Sequence, residues 1–127
     1  MLVAMILAEE ARCSDNETVD LRHGSVAAMF LPPRGPSPNV RVRVVTSIAR
    51  EGGDDEKLEI VTRIIGPDGR EIGDSLRQHD DLPPPSLISL VNKIDLRLER
   101  GRYEIRLEIN GEHKASCCIG VEDYPGT

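Results

Sequence analysis

The chain has 127 residues, 39% hydrophobic and 30% charged, which is the length and composition of one globular domain. These values exclude a disordered chain, a collagen-like chain, a disulfide scaffold and a multidomain enzyme. The formal net charge is −6, and no basic stripe is present, so we expect no binding to nucleic acid or to a membrane. Aromatic residues are limited to Phe30, Tyr103 and Tyr124, which predicts an aliphatic core.

The first eight residues, Met1 to Ala8, are apolar at odd and even positions alike. Glu9 and Glu10 end this run, no basic residue precedes it, and a membrane span would need about 20 apolar residues. We therefore expect a buried strand rather than a secretion signal or an anchor. Three cysteines without regular spacing suggest reduced thiols and a cytoplasmic location.

Alternation of apolar and polar residues is the dominant pattern along the rest of the chain. Val40, Val42 and Val44 alternate with Arg41 and Arg43, as expected for a strand with one face in a core. Turn residues separate such runs, and no stretch of ten residues has a helical stripe. The pattern predicts an all-β protein, an antiparallel β-sandwich of about seven to eight strands. The predicted domain spans residues 1–127, and its strands cover residues 2–9, 17–30, 39–49, 57–65, 70–77, 87–98, 102–109 and 113–121.

The long strand predicted at residues 17–30 changes phase at Gly24. Val19 and Leu21 lie at odd positions, whereas Val26, Ala28 and Phe30 lie at even ones. A β-bulge at Gly24 would restore one buried face and bend the strand across the sandwich. A crossing from one sheet to the other is predicted at residues 80–86.

The sequence Pro67-Asp68-Gly69 predicts a three-residue hairpin loop in which the glycine adopts the left-handed conformation. In this register Ile64 lies opposite Ile72, and Ile60 lies opposite Leu76. One face of the hairpin then stays apolar, as a strand pair on a core requires.

A second hairpin is predicted around Asn110-Gly111, a pair typical of two-residue type I′ turns. That turn would place polar residues of the following strand on the buried face. A loop Ile109-Asn110-Gly111 with a bulge at the glycine instead sets Ile105 against Ala115. A one-residue slip moves every side chain to the other face, so we predict the bulged loop, with Cys117 toward the core and Cys118 outward.

Short motifs occur in a suggestive order along the chain: Met5-Ile6-Leu7-Ala8-Glu9-Glu10-Ala11, Val19-Asp20-Leu21 with a following His-Gly, Gly66-Pro67-Asp68-Gly69-Arg70-Glu71-Ile72, Gly101-Arg102-Tyr103 and Ile109-Asn110-Gly111-Glu112. In this order they resemble a family of small bacterial proteins of unknown function with an immunoglobulin-like β-sandwich. The resemblance spans essentially the whole chain and implies the fold, but no activity and no functional residue. Gly101-Arg102-Tyr103 also looks like a tyrosine corner, whose phenol requires a backbone acceptor a few residues upstream.

The adjacent cysteines Cys117 and Cys118 are the most prominent candidates for chemistry. Neighbouring strand residues point to opposite faces, so the two thiols do not converge on one metal ion or one substrate. His113 lies four residues from Cys117 and does not complete a site. We therefore predict structural cysteines, with no metal and no cofactor.

The histidines are scattered along the chain at His23, His79 and His113. His23 stands beside the predicted bulge, where a side chain can be aimed at a site, although a half-buried imidazole at a bend is the simpler interpretation. His79 precedes Asp80 and Asp81, but this spacing matches no calcium loop. No catalytic, cofactor-binding or metal-binding residue is assigned from the sequence.

Three hypotheses for the function are consistent with the sequence. The preferred one is a non-enzymatic binding or assembly module that uses a sheet face, an edge strand or a loop cluster. An alternative is an enzyme or ligand-binding protein with a site at one loop end that draws on His23, His79 or Asp80. Another alternative is a subunit of a phage- or virion-like assembly.

Self-association is suggested by apolar residues on outward-facing positions. Met1 to Ala8 is apolar on both faces, and Val44-Val45 and Ile64-Ile65 add apolar residues at outward positions. An apolar outer face requires a cover. We therefore expect a protein partner or a homo-oligomer.

Overall fold

The computed structural model describes residues 1–13, 19–24, 28–31, 37–54, 57–81 and 83–123. Within these residues the chain forms strands that follow the alternating pattern of the sequence. They are β1 (Leu2–Cys13), β2 (Val19–Gly24), β3 (Ala28–Leu31), β4 (Asn39–Arg50), β5 (Leu58–Ile65), β6 (Leu76–Asp80), β7 (Ser86–Arg97), β8 (Gly101–Ile109) and β9 (Glu112–Asp123).

The strands form two sheets that pack against each other, which confirms the prediction of an all-β protein with the layers of a sandwich. The four-stranded sheet has the order β2-β1-β4-β7, and the five-stranded sheet has the order β3-β9-β8-β5-β6. Neighbouring strands are antiparallel, except for the parallel pair β3 and β9. The chain changes sheets between β6 and β7, as predicted for residues 80–86.

The core lies between the sheets, and its apolar clusters in the described residues are aliphatic apart from Tyr103, as the composition predicts. One residue of each alternating pair points inward, and together these residues form two clusters. The larger cluster contains Leu7, Val42, Val44, Ile94, Leu96, Leu98, Tyr103, Ile105, Ile119 and Val121. The smaller one contains Ile48, Leu58, Ile60, Ile88, Leu107 and Ile109.

The prediction of one long strand over residues 17–30 is wrong. β2 ends at Gly24 in the four-stranded sheet, and β3 begins at Ala28 in the five-stranded sheet. Residues 25–27 lie outside the described residues. The parity expected after Gly24 is also wrong, because in β3 Met29 and Leu31 pack against the larger core cluster and Phe30 is 49% exposed.

The hairpin loop at Pro67-Asp68-Gly69 is confirmed. Gly69 has a φ of +81°, a left-handed conformation that costs glycine little. The backbone N–H of Ile72 donates to the carbonyl oxygen of Ile64 at 2.8 Å, so these two residues lie opposite each other as predicted.

The register beyond this loop differs from the prediction. Ile60 lies opposite Gln78, and Leu76 lies opposite Thr62. Gly73, with a φ of +63°, diverts the chain before β6 and inserts two extra residues relative to β5. An insertion of two residues preserves the parity of a strand. The pairing of β6 with β5 is therefore displaced by two residues, while each side chain of β6 stays on the predicted face of the sheet.

The predicted loop Ile109-Asn110-Gly111 is wrong. Asn110 and Gly111 have φ values of +50° and +83°, the two positive values of a type I′ turn. Ile109 accordingly lies opposite Glu112. The local preference of the Asn-Gly pair therefore determines this turn.

The buried face is restored by a bulge farther from the turn. The register shifts by one residue next to Leu107, and beyond the shift Ile105 lies opposite Cys117 rather than Ala115. Cys117 packs against the larger core cluster, as predicted. The argument from the buried face was correct about which side chains point inward and wrong about the position of the bulge.

The tyrosine corner is confirmed by the contacts of Tyr103. Its side chain is 1% exposed. The phenol donates a hydrogen bond to the carbonyl oxygen of Arg97 at 2.9 Å and accepts one from the backbone N–H of Glu99 at 2.9 Å. These bonds attach the β7–β8 connection to the core.

Candidate functional site

An apolar patch covers the outer face of β1, β4 and β7 in the four-stranded sheet. The strand register arranges it in three rows across the strands. Leucine, isoleucine, valine and alanine line it, and serine is its only polar residue type. The outer apolar patch consists of the rows Leu2–Ala49–Leu87, Ala4–Ser47–Ser89 and Ile6–Val45–Val91.

The patch exists because β1 is apolar at both parities. Val3, Met5 and Leu7 of β1 pack against the core, so Leu2 and Ile6 face outward and keep 73% and 38% of their surface exposed. On β7, Leu87 is 50% exposed. Val45 lies between Ile6 and Val91 in its row and is only 6% exposed, so the middle of this row is closely packed.

The structure separates the apolar pairs that the sequence suggested for an outer face. Val45 belongs to the patch, whereas Val44 is in the core. Ile64 packs against the core, and Ile65 lies in the five-stranded sheet opposite Glu104. Ile64-Ile65 therefore makes no contribution to the patch.

Charged residues begin immediately beyond the patch at both ends. Arg43 and Lys93 oppose each other on β4 and β7 in the row after Ile6. At the other end, Glu51 directly follows β4 and is exposed. The patch is therefore flanked by positive charge at one end and by negative charge at the other.

The outer face of the five-stranded sheet, in contrast, is covered by ion pairs. Arg63 donates to Glu108 at 2.8 Å and lies 3.3 Å from Glu71, and Arg77 lies 2.7 Å from Glu59. Hydrogen bonding to Glu108 raises the pKa of Arg63 above its ordinary value. Such surface pairs contribute little to stability, but they keep this face well hydrated. The sandwich thus has one charged face and one face with an apolar area.

Cys117 and Cys118 point to opposite sides of β9, as predicted. Burial, with a smaller effect of the neighbouring Cys118, raises the pKa of Cys117 to about 11. Cys118 lies on the outer face, where Arg102 Nη2 donates to its Sγ at 3.1 Å. Both are free thiols, and they do not share a site.

A shallow hollow of about 540 Å³ opens beside Cys118, and the sequence alone did not indicate it. Arg100, Arg102 and Glu122 contribute its charged groups. Arg100 also forms an ion pair with Asp123. The pairing of β8 with β9 creates this hollow, because it aligns residues whose spacing along the chain follows no motif.

The structure does not bring together the histidines and Asp80 that the sequence offered as a loop-end site. His23 is on β2 and His79 is on β6, and these strands are edges of different sheets; the side chain of His23 lies outside the described residues. Asp80 turns away from the exposed His79 and lies 3.7 Å from Arg50. His113 Nε2 lies 3.2 Å from the carbonyl oxygen of Ala115.

The described residues contain neither a cluster of metal ligands nor a membrane-spanning helix. Among those residues, no three His, Cys, Asp or Glu side chains form a group that could hold a metal ion. No helix in this part of the chain has the length and apolarity needed to cross a membrane.

Comparison with known proteins finds no matching family model, no matching curated protein and no matching solved structure. The resemblance to a bacterial immunoglobulin-like family therefore stays a prediction.

Proposed function

We propose that this protein is a non-enzymatic binding or assembly module whose working surface is the outer apolar patch. The observation that carries the proposal is the exposure of Leu2, Ile6 and Leu87 on one continuous sheet face. A sheet face in contact with water ordinarily carries polar residues. Contiguous exposed apolar patches mark interaction sites in soluble proteins.

The shape and chemistry of the patch favour a protein partner over a small molecule. Small-molecule sites are concave and bury most of their ligand, whereas this patch is the surface of a sheet. Its side chains are aliphatic, so the complementary surface should also be aliphatic. The charges at both ends would set the orientation of the partner.

We also propose an immunoglobulin-like connectivity for the sandwich. If β1, β4 and β7 are strands A, B and E, their order matches one immunoglobulin sheet. With β5, β8 and β9 as strands C, F and G, the order of the second sheet also agrees. The corner formed by Tyr103 at the start of β8 further supports this assignment, since the corner belongs to strand F.

Hydroxyl-radical footprinting tests the proposed working surface. Dilute purified protein is compared with the protein at its natural level in a concentrated lysate of its own host. We expect lower oxidation of Leu2, Ile6 and Leu87 in the lysate. Ile72 and Leu76, which are 38% and 36% exposed elsewhere, serve as internal controls and should be oxidised equally in both samples.

A Leu87→Lys variant provides the matched control. A lysine at this exposed position should leave the fold intact but abolish the protection of Leu2 and Ile6 in the lysate. If the patch of the unchanged protein is oxidised equally in both samples, the outer apolar patch is not a binding surface and the proposal fails.

A further inference from the structure

We infer that the occupant of the outer apolar patch is a second copy of this chain, packed face to face about a two-fold axis that crosses the strands near Ser47. The inference rests on the proposed function, because it names the partner of the same surface. The second copy as occupant is inferred from the strands that expose apolar side chains, from the order of charges along β4, and from the area of the outer apolar patch.

Pairing through the edge of β7 is another way in which this sheet could dimerise. β7 is twelve residues long and is an edge strand in the described part of the four-stranded sheet, and such edges accept further strands. However, Leu2 and Ile6 are on β1, two strand positions and about 10 Å from β7. A strand added to β7 would leave both residues in water. Face-to-face packing at a sheet separation of about 10 Å covers all three strands together.

A two-fold axis across the strands places the patch onto itself. Rotation about the central row, which contains Ser47, exchanges the two outer rows. The row with Leu2 and Leu87 then faces the row with Ile6 and Val91 of the second copy. Apolar side chains therefore meet apolar side chains along the whole patch, as an isologous interface requires.

The same axis brings opposite charges together. Arg43 and Glu51 each lie four residues from Ser47, in opposite directions along β4. The rotation therefore brings Arg43, with Lys93 beside it, to Glu51 of the second copy, and symmetry produces this contact twice. An axis along the strands would instead place the row of Arg43 and Lys93 against itself, and like charges at such an interface are unfavourable. Charge thus selects the axis that crosses the strands.

The area of the face predicts a reversible dimer. Three strands at a spacing of about 4.8 Å, over the nine residues from Arg43 to Glu51 at about 3.4 Å each, project to about 400 Å². Side-chain relief raises the accessible area to roughly 600 Å² per copy, somewhat below the 800 Å² of a standard interface. We therefore expect exchange between monomer and dimer in the micromolar range.

Sedimentation velocity and light scattering of the purified full-length chain over a hundredfold concentration range test the inference. The unchanged protein should shift from monomer to dimer as concentration rises. Leu87→Lys should remain monomeric at every concentration. Ser116→Lys, which adds the same charge to an exposed position in the other sheet, should dimerise like the unchanged protein. Thermal unfolding followed by circular dichroism verifies that each variant is folded.

A charge exchange tests the axis itself. Glu51→Lys and Arg43→Glu should each weaken the dimer by about tenfold or more, which corresponds to 1.4 kcal/mol. The double variant should recover most of the affinity, because it restores opposite charges with reversed sign. If the double variant is weaker than both single variants while Leu87→Lys abolishes the dimer, the proposed axis is wrong.

The two proposals fail in distinguishable ways. A chain that stays monomeric over the whole range, while footprinting in the host lysate protects the patch, excludes the second copy and retains the binding surface. Dimerisation that persists in Leu87→Lys places the interface elsewhere and overturns the inference. The absence of both dimerisation and protection removes both proposals.

Discussion

The guanidinium group of Arg50 lies 3.7 Å from the carboxylate of Asp80, and this ion pair joins β4 of the four-stranded sheet to β6, an edge strand of the five-stranded sheet. Arg50 is 3% exposed and also donates to Ser86 Oγ at 3.0 Å. In the sequence, Asp80 resembles part of an acidic site beside His79. In the structure it stabilises a buried charge between the sheets.

Replacement of Asp80 by Asn should lower the free energy of unfolding by about 1–3 kcal/mol, because the buried Arg50 loses a charged acceptor. Asp81→Asn is the matched control. Asp81 is exposed, and we expect its replacement to change stability by less than about 0.5 kcal/mol. Urea unfolding measures both effects, and equal losses would show that the inter-sheet ion pair has no particular role.

Tyr103→Phe should lower the free energy of unfolding by about 1–3 kcal/mol. Removal of the phenol oxygen leaves the carbonyl of Arg97 and the N–H of Glu99 without this partner in a part-buried position. The midpoint of urea unfolding should fall, and its slope should stay constant because the core retains its shape. An unchanged midpoint would mean that water replaces the phenol without cost.

Gly101→Ala should be more harmful than Gly69→Ala. Gly101 has a φ of +130°, and a Cβ atom there would lie 2.6 Å from Cβ of Pro67. Gly69 has a φ of +81° with open space around it. We expect losses of at least about 2 kcal/mol and about 1 kcal/mol respectively, since only the first position adds a steric clash to backbone strain. Chemical denaturation of the two variants measures the difference, and the reverse order would contradict the close approach of Pro67.

Burial of Cys117 predicts a loss of stability in alkaline solution. Its pKa is raised from the ordinary 9.0 to about 11 in the folded protein, so the unfolded chain releases this proton at lower pH. The contribution is fully present below pH 9 and is lost as the pH rises toward 11. The difference in unfolding free energy between the protein and its Cys117→Ala variant should therefore decrease over this window. A constant difference would contradict the burial of the thiol.

Thiol labelling of the native protein should modify Cys118 faster than Cys117. Cys118 lies on the outer face, whereas Cys117 packs against the core and has a raised pKa, and the thiolate is the reactive form. Peptide mass spectrometry after timed labelling distinguishes the two positions, with Cys118→Ser as the control in which Cys117 remains slow. Equal rates, or faster labelling of Cys117, would contradict the register of β9.

Alternation and turn chemistry account for most strand positions and for the inward parity of strands such as β4, β5 and β8. They do not determine where the chain changes sheets. Beyond Gly24 the alternation favoured Phe30 as an inward residue, but in β3 Met29 and Leu31 pack against the core and Phe30 is exposed. The bulge next to Leu107 was also not predictable from the local pattern. The turn at Asn110-Gly111 and the buried face require different registers, and only the packed structure shows where the extra residue is accommodated.

The candidate surface was predictable only in part. The apolar character of Met1 to Ala8 on both parities indicated an outward-facing apolar strand. Its extent depends on Ile6, Val45 and Val91 sharing one row, and these residues come from distant segments of the chain. Such rows are created by long-range pairing, which leaves no periodic signal in a single sequence.

The strand order also has a consequence for the time that folding takes. The longest ladder joins β4 and β7, and its nearest pair, Arg50 and Ser86, is already 36 residues apart. A hairpin such as β8–β9 forms in about 1–10 μs. Sandwiches fold more slowly, in roughly milliseconds to seconds, because large loops must close before their contacts compensate for the lost chain entropy. Until the two sheets pack together, the apolar residues of β1 are uncovered on both faces, and afterwards Leu2 and Ile6 on the outer face stay exposed. A newly synthesised chain therefore passes through a period in which the exposed apolar residues of β1 favour association with other chains.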